Sequence, residues 1–145
     1  MAFTALDVKN LREKTGVGMM ECKKALTEAD GDMDRAFEIL RERGLAASEK
    51  KASRIAAEGA IIAYTDDAAK VTVLLEINSE TDFVGKNEKF VDFVKGVAAT
   101  VAANKPADLE ALMASKYADT ELTVAEQQQE MVLVIGENIN VRRFD

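Results

Sequence analysis

Few side chains in this sequence could do chemistry. Its 145 residues include no histidine and a single cysteine, Cys22. A Ser-His-Asp triad and a Cys-His pair are therefore excluded. So are the usual zinc sites, which need several Cys or His ligands. Two carboxylate pairs remain. Glu80 and Asp82 lie in the run Ser79-Glu80-Thr81-Asp82-Phe83-Val84-Gly85-Lys86-Asn87, and Asp66 and Asp67 are adjacent. Acid–base work by Glu80 and Asp82 needs a concave pocket converging on both. The sequence sets no partner base or metal cluster beside them. Asp66 and Asp67 stand between two strand-like runs, where Asp is a turn former. The feature that stands out is Phe83, a large aromatic among small, polar and charged residues. Leaving it in water forfeits roughly 1.5–3 kcal/mol. It either folds back onto its own core or fills a pocket on a partner, as interface hot spots do.

Composition narrows the classes. Hydrophobic residues make up 48% and charged residues 31%, which fits a globular chain rather than a disordered one. The length suits one medium domain or two small ones. Residues 1–60 carry 11 basic and 11 acidic side chains, and residues 61–145 carry 8 and 15, so the second half holds the whole net charge of −7. Neither half offers a basic face for phosphate backbones, which argues against a nucleic-acid partner. One cysteine cannot form an internal disulfide, which fits a reducing compartment. Met1 to Asp7 has no basic or apolar signal-peptide region, and no apolar run reaches membrane-span length. The expected location is the cytoplasm, with no membrane partner.

Element signals are mostly local. Thr4 and Asp7 have capping-box spacing before a first helix bearing Leu6, Val8 and Leu11. Thr15-Gly16-Val17-Gly18 breaks it. Met19, Cys22, Leu26 and Ala29 then share one helical face, with Ala25 beside it. Asp32 is placed to cap a third helix with Met33, Ala36, Phe37 and Leu40 on one side, and Gly44 stands where a C-terminal glycine belongs. The charged run from Ser48 to Arg54 reads as a solvated helix or helical linker, or as a basic contact patch. Ala60–Tyr64 and Val71–Ile77 form a hairpin pattern. Asn87 can cap a long helix striped by Phe90, Val94, Val97 and Val101, and Pro106 ends that region. Leu109, Leu112 and Met113 suggest a short helix. Thr123 and Glu126 cap another, which ends at Gly136. Ile139 to Phe144 alternates as a strand, whose last residues, Val141 to Phe144, are expected to form an exposed or frayed edge. The architecture predicted is α+β: residues 1–55 a small three-helix module with its linker, and residues 56–145 an α+β core with an antiparallel hairpin and long helices.

Three segments carry a family resemblance. Thr15-Gly16-Val17-Gly18-Met19-Met20-Glu21-Cys22-Lys23-Lys24-Ala25-Leu26 resembles the N-terminal signature of bacterial elongation factor Ts. Thr81-Asp82-Phe83-Val84 is similar to that family's second signature, and Ile135-Gly136-Glu137-Asn138-Ile139-Asn140-Val141-Arg142-Arg143 to its third. They occur in the family's order, and the resemblance extends over essentially the whole chain. The family's known members are longer, so the sequence resembles an N-terminal portion.

The resemblance implies a guanine-nucleotide exchange factor for the translational GTPase elongation factor Tu, met in GDP-bound and nucleotide-free forms. It implies no enzyme activity and no cofactor. The residues agree in offering no Walker motif and no phosphate-cradling Gly-rich loop. It also implies that the first fifty or so residues resemble a ubiquitin-associated-type module that docks on the partner. Thr81, Asp82, Phe83 and Val84 would bind beside the partner's magnesium site and dislocate the ion. Val17, Gly18, Met19, Met20 and Lys23, with Ile135 and Gly136, would be further contacts. Each has a plainer reading. Met19 is on the helix stripe and could be core, Lys23 could be merely solvated, and Gly136 could serve only to end a helix. The rival for the whole chain is a non-enzymatic ubiquitin-associated-like binding module with a passive adapter domain, indifferent to Thr81–Val84.

Overall fold

The computed structural model describes residues 2–118 and 120–145. Among the described residues it has six α-helices and one three-stranded antiparallel sheet, an α+β fold. Helix α1 (Ala5–Thr15) opens with the expected capping box: the Asp7 carboxylate accepts the Thr4 N–H at 2.7 Å, and the Thr4 side chain accepts the Asp7 N–H. Gly16 closes it at φ +73°, a conformation that favours glycine. Helix α2 (Met19–Glu28) buries Cys22, Ala25 and Leu26, while Met19, at the start of the same stripe, is exposed. The Cys22 thiol is fully buried, and burial pushes its pKa up. Asp32 caps α3 (Met33–Lys51) by accepting the Arg35 N–H at 2.9 Å.

Gly44 does not end α3. The helix runs on through it to Lys51 and takes up the first part of the charged run, in line with its solvated-helix reading. Gly44 is buried in mid-helix against α6 (Val124–Ile135). A Cβ there would stand 3.2 Å from the Gln129 carbonyl oxygen. The glycine admits a second helix backbone, a role that sequence spacing cannot distinguish from termination. The small module also does not close its core alone, since Leu133 and Val134 of α6 pack against Leu11, Leu26 and Leu40 and their neighbours.

The larger core lies between the sheet and α4 (Glu88–Asn104). Strands β1 (Glu58–Asp66), β2 (Val71–Ser79) and β3 (Asn140–Phe144) pair in the order β1-β2-β3. Val73, Leu75 and Ile77 alternate inward and meet Phe90, Phe93 and Val97 in one buried cluster. A short helix, α5 (Leu109–Ala114), precedes α6. The segment Val141–Phe144, expected to be an exposed or frayed edge, is an edge strand with Arg142 and Arg143 exposed, but it is paired rather than frayed. Val141 is buried opposite Ile77, and Leu74 and Asp145 exchange both backbone hydrogen bonds at 2.8 Å. The hairpin's own central strand supplies the partner. No helix among the described residues is long and apolar enough to cross a membrane.

One buried charge marks the helix seam. Glu130 on α6 is buried, and its Oε1 has no hydrogen-bond partner among the described residues. Burial pushes its carboxyl up to about 7, against a smaller pull from Arg41, whose guanidinium pairs with Glu126. The folded state therefore holds this proton more tightly than the unfolded chain, where the group titrates near 4.5. Stability from this group is full below pH 4.5 and is lost as pH rises to about 7. Glu130→Gln, which cannot ionise, should raise the melting temperature at pH 8 by roughly 5–10 °C and leave it nearly unchanged at pH 4. Thermal melts showing the same shift at both pH values would rule out ionisation as the cause.

Candidate partner-binding site

The loop from β2 to α4 places two apolar neighbours oppositely. Leaving β2, Ser79 donates its hydroxyl to the Thr81 carbonyl at 2.9 Å. One turn of 3-10 helix, Val84–Lys86, follows, and Asn87 caps α4 by accepting the Lys89 and Phe90 N–H groups at 2.9 and 3.3 Å. Val84 turns inward and is 6% exposed, whereas Phe83 is 82% exposed. The core-packing reading of Phe83 therefore fails, because Val84 takes the inward position.

A second loop holds the first. Gly136 ends α6 at φ +83°, and Glu137 follows it. The Glu137 carboxylate accepts the Glu80 and Thr81 backbone N–H groups on Oε1 at 3.1 and 3.0 Å, and the Thr81 hydroxyl on Oε2 at 2.7 Å. In return the Glu80 carboxylate accepts the Asn138 N–H at 2.8 Å and pairs with Arg54 at 3.5 Å. The Asn138 amide donates to the Arg54 carbonyl at 2.8 Å. Glu80, a candidate acid–base group, is thus engaged in holding backbone. An open groove lies between the loop and α6, lined by Thr81, Phe83, Lys89, Val134, Ile135 and Glu137 among others. Neither Glu80 nor Asp82 lines it. Asp66 accepts the Ala69 N–H at 3.0 Å, as a turn residue does.

The small module reaches the same region. Lys89, which lines the groove, donates to the Gly16 carbonyl at 2.7 Å, three residues before Met19. Lys51, ending α3, donates to the Gly136 carbonyl at 3.0 Å. The small module is thereby tied to the groove and to the end of α6. Met19 and Met20 are 54% and 66% exposed at the start of α2, and Lys23 is exposed on the same helix. Gly18 stands in open space, Asp82 and Gly136 are exposed, and Thr81 and Ile135 are half-buried. Two expected contacts need correction. Val17 is 2% exposed, and Val84 is the inward residue described above; both lie in the buried clusters rather than on the surface. Sequence reasoning missed Glu137, Asn138, Arg54 and Lys89. Glu137 and Asn138 stand in the third motif as polar residues after a helix-ending glycine, which does not say what they meet far away in the sequence, and Arg54 and Lys89 carry no signal beyond their charge.

Comparison with known proteins follows this geometry. A family model described as "Elongation factor TS" matches residues 80–145, the stretch holding both loops. The chain is 54% identical over 143 residues to elongation factor Ts of Clostridium novyi (strain NT), covering 98% of this chain and 47% of that protein. It is 55% identical over 144 residues to elongation factor Ts of Alkalilimnicola ehrlichii, covering 99% and 49%. Elongation factor Ts of Lacticaseibacillus casei (strain BL23) is 55% identical over 143 residues, at 98% and 47%. The chain spans about half the length of these relatives, and it belongs to the elongation factor Ts family.

Proposed function

We propose that the chain serves translation elongation in the cytoplasm as a guanine-nucleotide exchange factor, binding elongation factor Tu and promoting release of GDP. The observation that carries this reading is Phe83, held 82% exposed on a loop whose backbone is fixed from both sides. Keeping that ring in water costs roughly 1.5–3 kcal/mol, which a partner pocket returns on binding. A translational GTPase grips its nucleotide through backbone amides, a lysine and a magnesium ion. Phe83 fills an apolar pocket beside that ion, the exposed Asp82 carboxylate lies alongside, and the magnesium and phosphate contacts loosen. By linkage, GDP must weaken the factor's own binding to the same degree.

The remaining residues divide the work. Residues 1–55 dock through Met19, Met20 and Lys23, with Val17 and Gly18 shaping the turn that presents them. Residues 56–145 supply the Thr81–Val84 loop and the flanking Ile135 and Gly136. No bond is made or broken by the chain, and no cofactor is needed.

Magnitudes limit any single contact. A thousandfold acceleration needs about 4 kcal/mol of differential stabilisation. One buried phenylalanine supplies roughly 1.5–3 kcal/mol, so Phe83 cannot act alone. In stopped-flow release of fluorescent GDP, Phe83→Ala should slow release by roughly tenfold to a hundredfold at saturating factor. Asp82→Ala should cost less, since an exposed carboxylate contact is worth less than a buried ring. The stability of Phe83→Ala should stay within about 0.5 kcal/mol of the parent, as for other exposed sites. A folded Phe83→Ala chain with unchanged release kinetics would leave the binding-module reading in place. Met20→Ala should instead raise the half-saturating concentration about threefold with little effect on the saturated rate, because docking and displacement are separate contacts. A lower saturated rate with unaltered half-saturation would show that Met20 does not act in docking.

A further inference from the structure

We propose that Glu137 is a positioning residue for Phe83, and that it governs how fast GDP leaves rather than how tightly the two proteins associate. This rests on the exchange reading above. Phe83 is bracketed by two fixed points. On one side Val84 is buried in the larger core. On the other, Thr81 has its N–H and its hydroxyl on the Glu137 carboxylate at 3.0 and 2.7 Å, with the Glu80 N–H on the same carboxylate at 3.1 Å. Hydrogen bonds to an ionised acceptor are stronger than neutral ones. Only Asp82 separates Thr81 from Phe83, so fixing the first leaves the ring little freedom.

The groove explains why such a hold is needed. Phe83 shares it with Val134 and Ile135, apolar residues of the same chain. A released loop can lower its exposed apolar area by laying the ring onto them, which hides the anchor. Glu137 opposes that collapse. Glu80 reinforces it by exchange, since its own carboxylate takes the Asn138 N–H at 2.8 Å and so fixes the backbone next to Glu137. Docking contacts at Met19, Met20 and Lys23 lie on α2 and do not touch this hold. Loss of Glu137 should therefore act on the saturated rate.

The test is stopped-flow release of fluorescent GDP from elongation factor Tu at varied concentrations of the 145-residue chain, with circular dichroism as a fold check. Glu137→Ala should slow saturated release about tenfold, a cost in line with misplacing a reacting group, and change half-saturation less than about twofold. Thr81→Val removes only the hydroxyl donor and should slow release about threefold, which keeps the test open should Glu137→Ala misfold. Glu137→Gln retains a carbonyl acceptor for both amides and should recover most of the rate. In a Phe83→Ala background, adding either Glu137→Ala or Thr81→Val should change release less than about twofold, because the effect passes through the ring. Full additivity in the double variants would overturn the positioning role. Amide hydrogen exchange gives a readout independent of the partner: the Glu80 and Thr81 amides should exchange at least about tenfold faster in Glu137→Ala, while β2 stays protected. Faster amide exchange with unaltered GDP release overturns the positioning role alone. Unaltered release in Phe83→Ala itself overturns the exchange reading beneath it.

Discussion

The contact of α3 with α6 fixes where everything else lies. Side chains normally keep helix axes 8–10 Å apart, and a position without Cβ lets them approach toward the lower limit. Gly44 provides that position against Gln129. Along α6, Leu133 and Val134 pack into the smaller cluster while Met131 and Val132 belong to the larger one. One helix is thus shared by two cores. A three-helix unit of this size is marginal in stability alone, and the shared helix adds the apolar surface it lacks. The same seam aims the end of α6, and with it Glu137, at the Thr81 loop.

Polar ties then carry that placement to the surface. Lys89 and Lys51 both donate to backbone carbonyls, those of Gly16 and Gly136, rather than to acidic side chains. These are the carbonyls at the C-terminal ends of α1 and α6, which carry the negative ends of the helix dipoles and lack intrahelical donors. A lysine there answers an unsatisfied acceptor and a partial charge together. The ties also make the small module and the exposed loop parts of one surface, although their residues are far apart in sequence.

Local features were the legible ones. The Thr4–Asp7 and Thr123–Glu126 boxes, the Asp32 and Asn87 caps and the Phe90–Val101 stripe each depend on residues within a few turns, and each stands as read. The misses share one cause, dependence on a distant segment. Gly44 has two possible uses, and only the position of α6 decides between them. Val141 to Phe144 do form a sheet edge, but that the strand pairs with β2 rather than fraying depends on a segment far away in the sequence. Met19 has the spacing of the core stripe, yet it opens its helix and is left exposed, so its core reading, the alternative to a contact, is the one that fails. Phe83 had a core reading and a partner reading while Val84 was expected as a contact, and the turn after Thr81 puts Val84, not Phe83, in the interior. Of the candidate site, the exposed anchor and the two methionines were readable as residue types, and the carboxylates that brace the loop were not.

Cys22 has a use beyond packing. It is the only thiol in the sequence, and it lies wholly inside the small module beside Thr15 and Val17. A thiol must be exposed and deprotonated to react, and here burial opposes both. Modification by an added thiol reagent can therefore occur only when the module opens. The sheet and α4 carry no competing group. The labelling rate is thus a built-in meter of local opening in the docking unit, and it needs no engineered probe.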